Sequence, residues 1–317
     1  MKAVPIIKKI IISLLTALFV SFITFGLLYL SPGDPAEMML SNKLGNTVLN
    51  TEVLQKYAEI LGTNKGFFPM YKNWFVSVLH GDLGTSYNTG YPVIKEFGLR
   101  IGCSLRLAVF STLISLVLGV GLGILSARRR NRFIDRATRI FSSISISVPT
   151  FWMAILFLWV FAVKLDLFPI SSYDGFKSLI LPSLVMGISG SASLIRVTRI
   201  CVLDNLSEGY VVTARARGLS DRRVFVGHVL KNILLPVITM VTSSLIAHIG
   251  GSVIIENIFS LPGTGNYLLR AIRIKDYPVI LGFVLLKGMI VIVLTTIADI
   301  LYYAIDPRIR QGMYEKK

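Results

Sequence analysis

The sequence predicts an all-α, multi-pass membrane protein. Three observations carry that prediction. Of its 317 residues, 53% are hydrophobic, and the mean hydropathy is +0.68. Only 16% are charged, against roughly 25% in an ordinary soluble domain. Finally, a hydrocarbon core of about 30 Å needs roughly 20 apolar residues in helical form, and six segments meet that need. The composition excludes a disordered chain, a disulfide scaffold and a collagen-like repeat. The net charge of +16 would suggest a nucleic-acid partner in a soluble protein, so where the charge sits decides its meaning.

The first span is Ile10 to Leu30 and carries no charge. Its apolar run exceeds the roughly 7–15 residues of a signal-peptide core, and Tyr29-Leu30-Ser31-Pro32 is a poor cleavage site. It reads as an uncleaved helix. The second span, Leu107 to Ala127, is also uncharged. The third, Ile140 to Val163, contains Pro149, and the fourth, Ser178 to Ile195, has Pro182 near its start. The fifth, Ile233 to Ile255, has Pro236 in its first turn. The sixth runs from about Pro278 to Ala304 and includes Lys287 and Asp299. These two charges lie about 18 Å apart along a helix, so they do not pair directly.

Sidedness follows from Lys and Arg in the loops. One side takes the N-terminus, the loop from Arg128 to Arg139, the loop from Arg196 to Lys231 and the C-terminus, and holds +14 of the +16. The other side holds +2. The first side is therefore assigned to the cytoplasm, with both termini inside. The basicity is a matter of topology, and no nucleic-acid partner is expected. Cys103 near the outer end of span two and Cys201 in a cytoplasmic loop cannot meet, so no disulfide is expected.

The chain divides into a tail and first span (1–30), an extracytoplasmic loop (31–106), a five-helix core (107–310) and a tail (311–317). The 31–106 loop is too long for a bare connection. Thr51 begins a helix running to Leu61, and Tyr71, Trp74, Phe75 and Leu79 share one face of another. Two readings fit the second helix: an interfacial helix on the outer leaflet, or a small packed cap.

The loop 196–231 is the most informative. Leu203, Leu206 and Tyr210 fall on one helical face. Small Ala214 and Ala216 allow another surface close approach, Gly218 permits a chain reversal, and Ser220 or Asp221 caps the next helix. The pattern is a short helix-turn-helix on the cytoplasmic face. It fits either a protein-docking element or an amphipathic helix on anionic lipid. No GxxxxGK[ST], HExxH or GxSxG motif is present, and His80, His228 and His248 lie far apart. Chemistry carried by this chain itself has no support.

The segment from Thr213 to Pro236 resembles the EAA loop of permease subunits in bacterial binding-protein-dependent ABC importers, specifically the dipeptide/oligopeptide/nickel branch. Ala214 and Gly218 match, and Leu235-Pro236 close the motif. Val212 and Thr213 stand where Glu and the first Ala are usual. The 18-residue spacing from Gly218 to Pro236 is the longer form. Other similar strings run along nearly the whole chain. They include Gly33-Asp34-Pro35-Ala36, Gly81-Asp82-Leu83-Gly84-Thr85-Ser86, Glu256 through Gly265, Asp276-Tyr277-Pro278 and Asp306-Pro307-Arg308. Leu261 departs from the usual aromatic.

The resemblance implies a type I importer permease fold and half of a translocation pathway for peptides or nickel and other metal chelates. It implies a second, homologous permease, two ATPase subunits that hold ATP and Mg, and an extracytoplasmic binding protein, all at the bacterial cytoplasmic membrane. This chain would bind no cofactor. Thr213, Ala214, Arg215, Arg217, Gly218 and Asp221 are the expected ATPase-coupling residues. Ser143, Ser147, Thr150, Pro236 and Glu256 are candidates for the pathway or its gate. The serines of spans three and four, Ser189 and Ser193 included, equally fit close helix packing. His248 and Met240, about 12 Å apart along a helix, cannot share a metal ion without other ligands. Two rival classes remain at this point: an ion-gradient-driven secondary transporter and a membrane-embedded enzyme.

Overall fold

The computed structural model describes residues 4–31, 40, 51–61, 65–169 and 173–305. The strings at 33–36 and 306–310, the tail 311–317 and the Asp299 side chain lie outside the described set. Every regular element among the described residues is helical, with one isolated bridge between Thr85 and Pro92.

The helices run in chain order as α1 (Val4–Leu30), α2 (Thr51–Leu61), α3 (Phe67–Leu79), α4 (Val93–Arg128), α5 (Phe133–Ser147) and α6 (Thr150–Phe157). A π-helical Leu158–Lys164 extends α6. Then come α7 (Lys177–Ser207), α8 (Gly209–Ala216), α9 (Asp221–Val224), α10 (Leu230–Ile258), α11 (Thr264–Arg273) and α12 (Tyr277–Ile305). A π-helical Phe225–Val229 joins α9 and α10 into one rod of 38 residues, Asp221–Ile258.

Among the described residues, four helices are long and apolar enough to cross a membrane, or five if α5 and the α6 segment count as one broken span. The broken span corrects the expectation of a continuous helix from Ile140 to Val163. The chain bends by 101° between Phe133–Ser147 and Thr150–Lys164. Proline is the cause. Pro149 has no N–H to donate, and its ring pushes Val148 out of the helical region to φ −87°, ψ 122°. Pro182 and Pro236 are instead absorbed within long helices. Pro236 therefore does not mark the start of the fifth span, because the rod begins at Asp221.

Two compact units form: Met1–Cys103 with Pro262–Ile292, and Ser104–Leu261 with Val293–Lys317. In the first, Leu83, Val93, Phe97, Tyr277, Val279 and Phe283 make a buried cluster. Phe67 and Tyr71 of α3 meet Phe22 and Phe25 of α1 edge-on, with centroids 5.1–5.6 Å apart. The aromatic face of α3 is thus a packed cap on α1, worth about 0.5–1.5 kcal/mol per aromatic pair beyond burial. Leu79 at its far end stays exposed.

The same unit explains two strings from the sequence. Asp276 is buried and accepts from the Ser86 hydroxyl at 2.5 Å, from the Tyr87 N–H at 3.1 Å and from the Asn88 N–H at 3.3 Å. The Gly81–Ser86 turn and the start of α12 are therefore pinned together by one carboxylate. Nearby, Arg100 pairs with Glu96 and lies 3.9 Å over the Tyr267 ring. Burial pushes the Tyr267 phenol above its ordinary range, so it stays neutral at physiological pH.

In the second unit, α4 and α7 approach closely at glycines. A Cβ at Gly119 would stand 2.5 Å from Leu194, and one at Gly187 would stand 2.5 Å from Ile114. Small residues permitting backbone approach are the usual device for packing helices in lipid.

Candidate functional site

The loop after α7 folds as a helical hairpin on its own core. Leu203 and Leu206 on α7 and Tyr210 on α8 pack against a buried cluster of Ala127, Val202, Val211, Ala214, Val224, Phe225, Val229 and Ile233. The α8 helix is short because Gly209–Ala216 ends at Arg217, and Gly218 takes φ +80° to reverse the chain. Only glycine takes that left-handed conformation without strain. The Leu219 N–H then bonds the Ala214 carbonyl at 3.3 Å. Ser220 stands at the N-cap of α9 in extended conformation, but its side chain makes no capping bond. The Arg128 guanidinium at the end of α4 lies 5.1 Å over the Phe225 ring, so the end of α4 joins this core.

The six expected coupling residues thus fall together, with one change of role. Ala214 is buried in the cluster, so it holds the hairpin to its core and offers no free surface. Thr213, Arg215, Ala216, Arg217 and Asp221 are exposed around the turn. Arg215 Nε donates to Asp221 Oδ1 at 3.0 Å. Both partners are exposed, so the pair orders the turn more than it stabilises the fold. What remains is a compact knob with basic groups on its outside.

A second feature is a cavity of about 560 Å³ walled by α6, α7 and α10. Thr150, Ser189 and Ser193 line it, as do Met186, Met240 and His248. Thr150 and Ser189 share a hydrogen bond of 2.9 Å across the helix contact, and His248 Nδ1 lies 3.0 Å from the Thr112 hydroxyl. The lining contains no Asp, Glu, Lys or Arg. Its size falls within the roughly 300–1,000 Å³ of small-molecule sites.

The other pathway candidates do not meet there. Ser143 and Ser147 are exposed on α5, before the bend, where Ser143 accepts from Arg196 at 3.3 Å. Pro236 lies outside the lining. Glu256 is fully buried in the last turn of α10 and accepts from the Ser104 hydroxyl at 2.7 Å, which ties α10 to α4. Sequence reasoning missed Met186, which only the helix packing brings near His248. It also missed Asp135, a buried carboxylate that accepts from Ser126, Asn131 and Arg199. Lys287 on α12 is half-buried. Among the described residues, no group of three or more His, Cys, Asp or Glu side chains is arranged to hold a metal ion.

Residues 119–311 match the family model of the binding-protein-dependent transport system inner membrane component, and residues 4–99 match the N-terminal model of the same systems. The chain belongs to this family. It is a permease subunit of a binding-protein-dependent ABC importer, in the peptide/nickel branch. The permease is 34% identical to the oligopeptide transport system permease protein AppB of Bacillus subtilis, over 97% of this chain and 99% of that protein. It is 34% identical to the metal-staphylopine import system permease protein CntB of Staphylococcus aureus, over 97% and 98%. It is 33% identical to the glutathione transport system permease protein GsiC of Escherichia coli, over 96% and 98%. Among solved structures, the MetNI methionine ABC transporter in inward-facing conformation superposes with a TM-score of 0.55 at 16% identity, covering 67% of the permease and 97% of that chain. That likeness is one of fold. The permease works with ATPase and binding-protein partners, and a secondary carrier gains no support from these relatives.

Proposed function

We propose that this chain forms half of the translocation pathway of an ATP-driven importer for short peptides or ligand-wrapped metal ions in a bacterial cytoplasmic membrane. It pairs with a second, homologous permease, and its six spans place both termini inside, as the charge asymmetry of the loops supports. Two ATPase subunits carry ATP and Mg²⁺ and hydrolyse the nucleotide. A binding protein delivers cargo from outside, and lipid surrounds the spans.

The observation that carries this reading is the exposed hairpin around Gly218 on its buried core. A compact knob of this kind seats in a groove of a partner and transmits a push without deforming. Thr213, Arg215, Arg217 and Asp221 make the contact, and Ala214 and Gly218 give it shape. ATP-driven closure of the ATPases moves the knob, and α7 and the Asp221–Ile258 rod carry the movement into the membrane.

The cavity supports the cargo class. Hydroxyls of Thr150, Ser189 and Ser193 suit amide groups, whereas a bare divalent cation needs oxygen or nitrogen ligands in greater number. The named relatives transport oligopeptides, glutathione and metal–staphylopine, none of which is a bare metal ion.

The test is uptake by the complete complex in proteoliposomes, with tri-alanine and the nickel–histidine complex as probes. Uptake requiring ATP, Mg²⁺ and binding protein is expected. Accumulation driven by a proton gradient without ATP would sink the assignment.

A further inference from the structure

Asp135 lies in the first turn of α5, and its side chain has no exposure to solvent. Four donors surround its carboxylate. The Ser126 hydroxyl donates to Oδ1 at 2.5 Å, and the Asn131 N–H donates to Oδ2 at 2.9 Å. Arg199 on α7 forks onto both oxygens, Nε to Oδ1 at 2.7 Å and Nη2 to Oδ2 at 3.0 Å. Exposed Arg139 stands 3.8 Å away. One carboxylate thus ties α4, the turn at Asn131, α5 and α7.

The same contact continues along α5. Arg196 Nε donates to the Ser142 hydroxyl at 3.0 Å, and that hydroxyl donates to the Ala192 carbonyl at 3.1 Å. The helices α5 and α7 are therefore joined by a polar ladder, where two apolar faces would slide. A buried ion pair is weak as a stabiliser, since well-packed apolar residues do as well or better. Its distinctive property is geometry. A bidentate guanidinium–carboxylate pair admits one register.

The ladder also sits against the coupling hairpin. Ser126 adjoins Ala127, and Arg199 precedes Val202 by one helical turn; Ala127 and Val202 belong to the hairpin's core. At its other end α5 reaches the bend at Pro149, after which Thr150 walls the cavity.

We propose that Asp135 and Arg199 form a strut that conveys displacement of the coupling hairpin to the broken span, and so to the cavity wall. They are positioning residues and touch neither cargo nor nucleotide. The inference rests on the coupling role given to the hairpin under the proposed function.

The experiment reads ATP hydrolysed per cargo molecule imported, in proteoliposomes holding the whole complex. The probe is tri-alanine or the nickel–histidine complex, whichever the unaltered complex imports. Asp135→Asn keeps the shape and loses the charge. Arg199→Lys keeps the charge and loses the fork. Asp135→Asn should raise the ratio at least fivefold, and Arg199→Lys by a smaller factor, with ATPase subunits co-purifying at unaltered yield. A strut that merely held the fold would lower hydrolysis and import in step. That outcome, an unchanged ratio in both variants, or failure of both to assemble overturns the proposal. An unaltered complex without ATP-driven uptake would instead remove the importer reading beneath it.

Discussion

At the residue scale, Gly218 and Asp276 show two ways in which one position governs a larger assembly. Nothing lies within 4 Å of the point where a Cβ would stand on Gly218. The constraint there is conformational, not steric, because φ is +80°. Gly218→Val should cost about 1–3 kcal/mol of local strain. The measurement is import per membrane-inserted subunit. Import should be lost while insertion and ATPase-independent folding persist, and normal ATP-dependent import would count against the coupling role. Both the glycine and its turn are legible in sequence, because a reversal between two helical patterns requires such a residue. Asp276 is not legible in the same way. It reads as one letter in a string, and its partners at Ser86, Tyr87 and Asn88 lie nearly 190 positions away. Hydrogen-bond geometry at that separation leaves no periodic trace.

At the element scale, apolar runs locate the helices, while their neighbours decide their ends. The second span reads as Leu107 to Ala127 from hydropathy, yet α4 starts at Val93, since Glu96 and Arg100 find partners in the folded unit. Pro149 falls within the third apolar run and Pro236 near the start of the fifth; the first breaks its span by 101°, whereas the second stands inside a continuous helix. Glycines divide in the same manner. A Cβ on Gly123 would stand 2.7 Å from Thr198 Cβ and 3.0 Å from the Ile195 carbonyl, whereas one on Gly251 meets nothing within 4 Å. Gly123→Val should therefore destabilise the subunit by about 1–3 kcal/mol through overpacking. Gly251→Ala should leave it within experimental scatter of the unaltered subunit. Thermal unfolding of the purified subunit in detergent compares the two, and equal midpoints would contradict the close approach of α4 and α7.

At the scale of the whole molecule, charge sets sidedness. The +14 assigned to one face predicts the exposure of single cysteines placed in a Cys103→Ser, Cys201→Ser background. Asn131→Cys should react with a membrane-impermeant maleimide only after the cytoplasmic face is opened. Arg273→Cys should react from outside in intact cells. Reversed labelling would overturn the topology and, with it, the placement of the hairpin beside ATPases.

The sequence by itself determined the solvent, the approximate apolar helices and the hairpin, and it carries the charge asymmetry on which the proposed sidedness rests. Each of these depends on local composition or short-range period, which one stretch of chain carries complete. Tertiary structure alone decided the 101° size of the bend that Pro149 permits, the burial of Ala214, the meeting of Thr150 with Ser189, and the fourfold satisfaction of Asp135. Those outcomes turn on which helix faces which. In a chain rich in interchangeable apolar residues, many pairings bury similar area, and only close packing with satisfied polar groups selects among them.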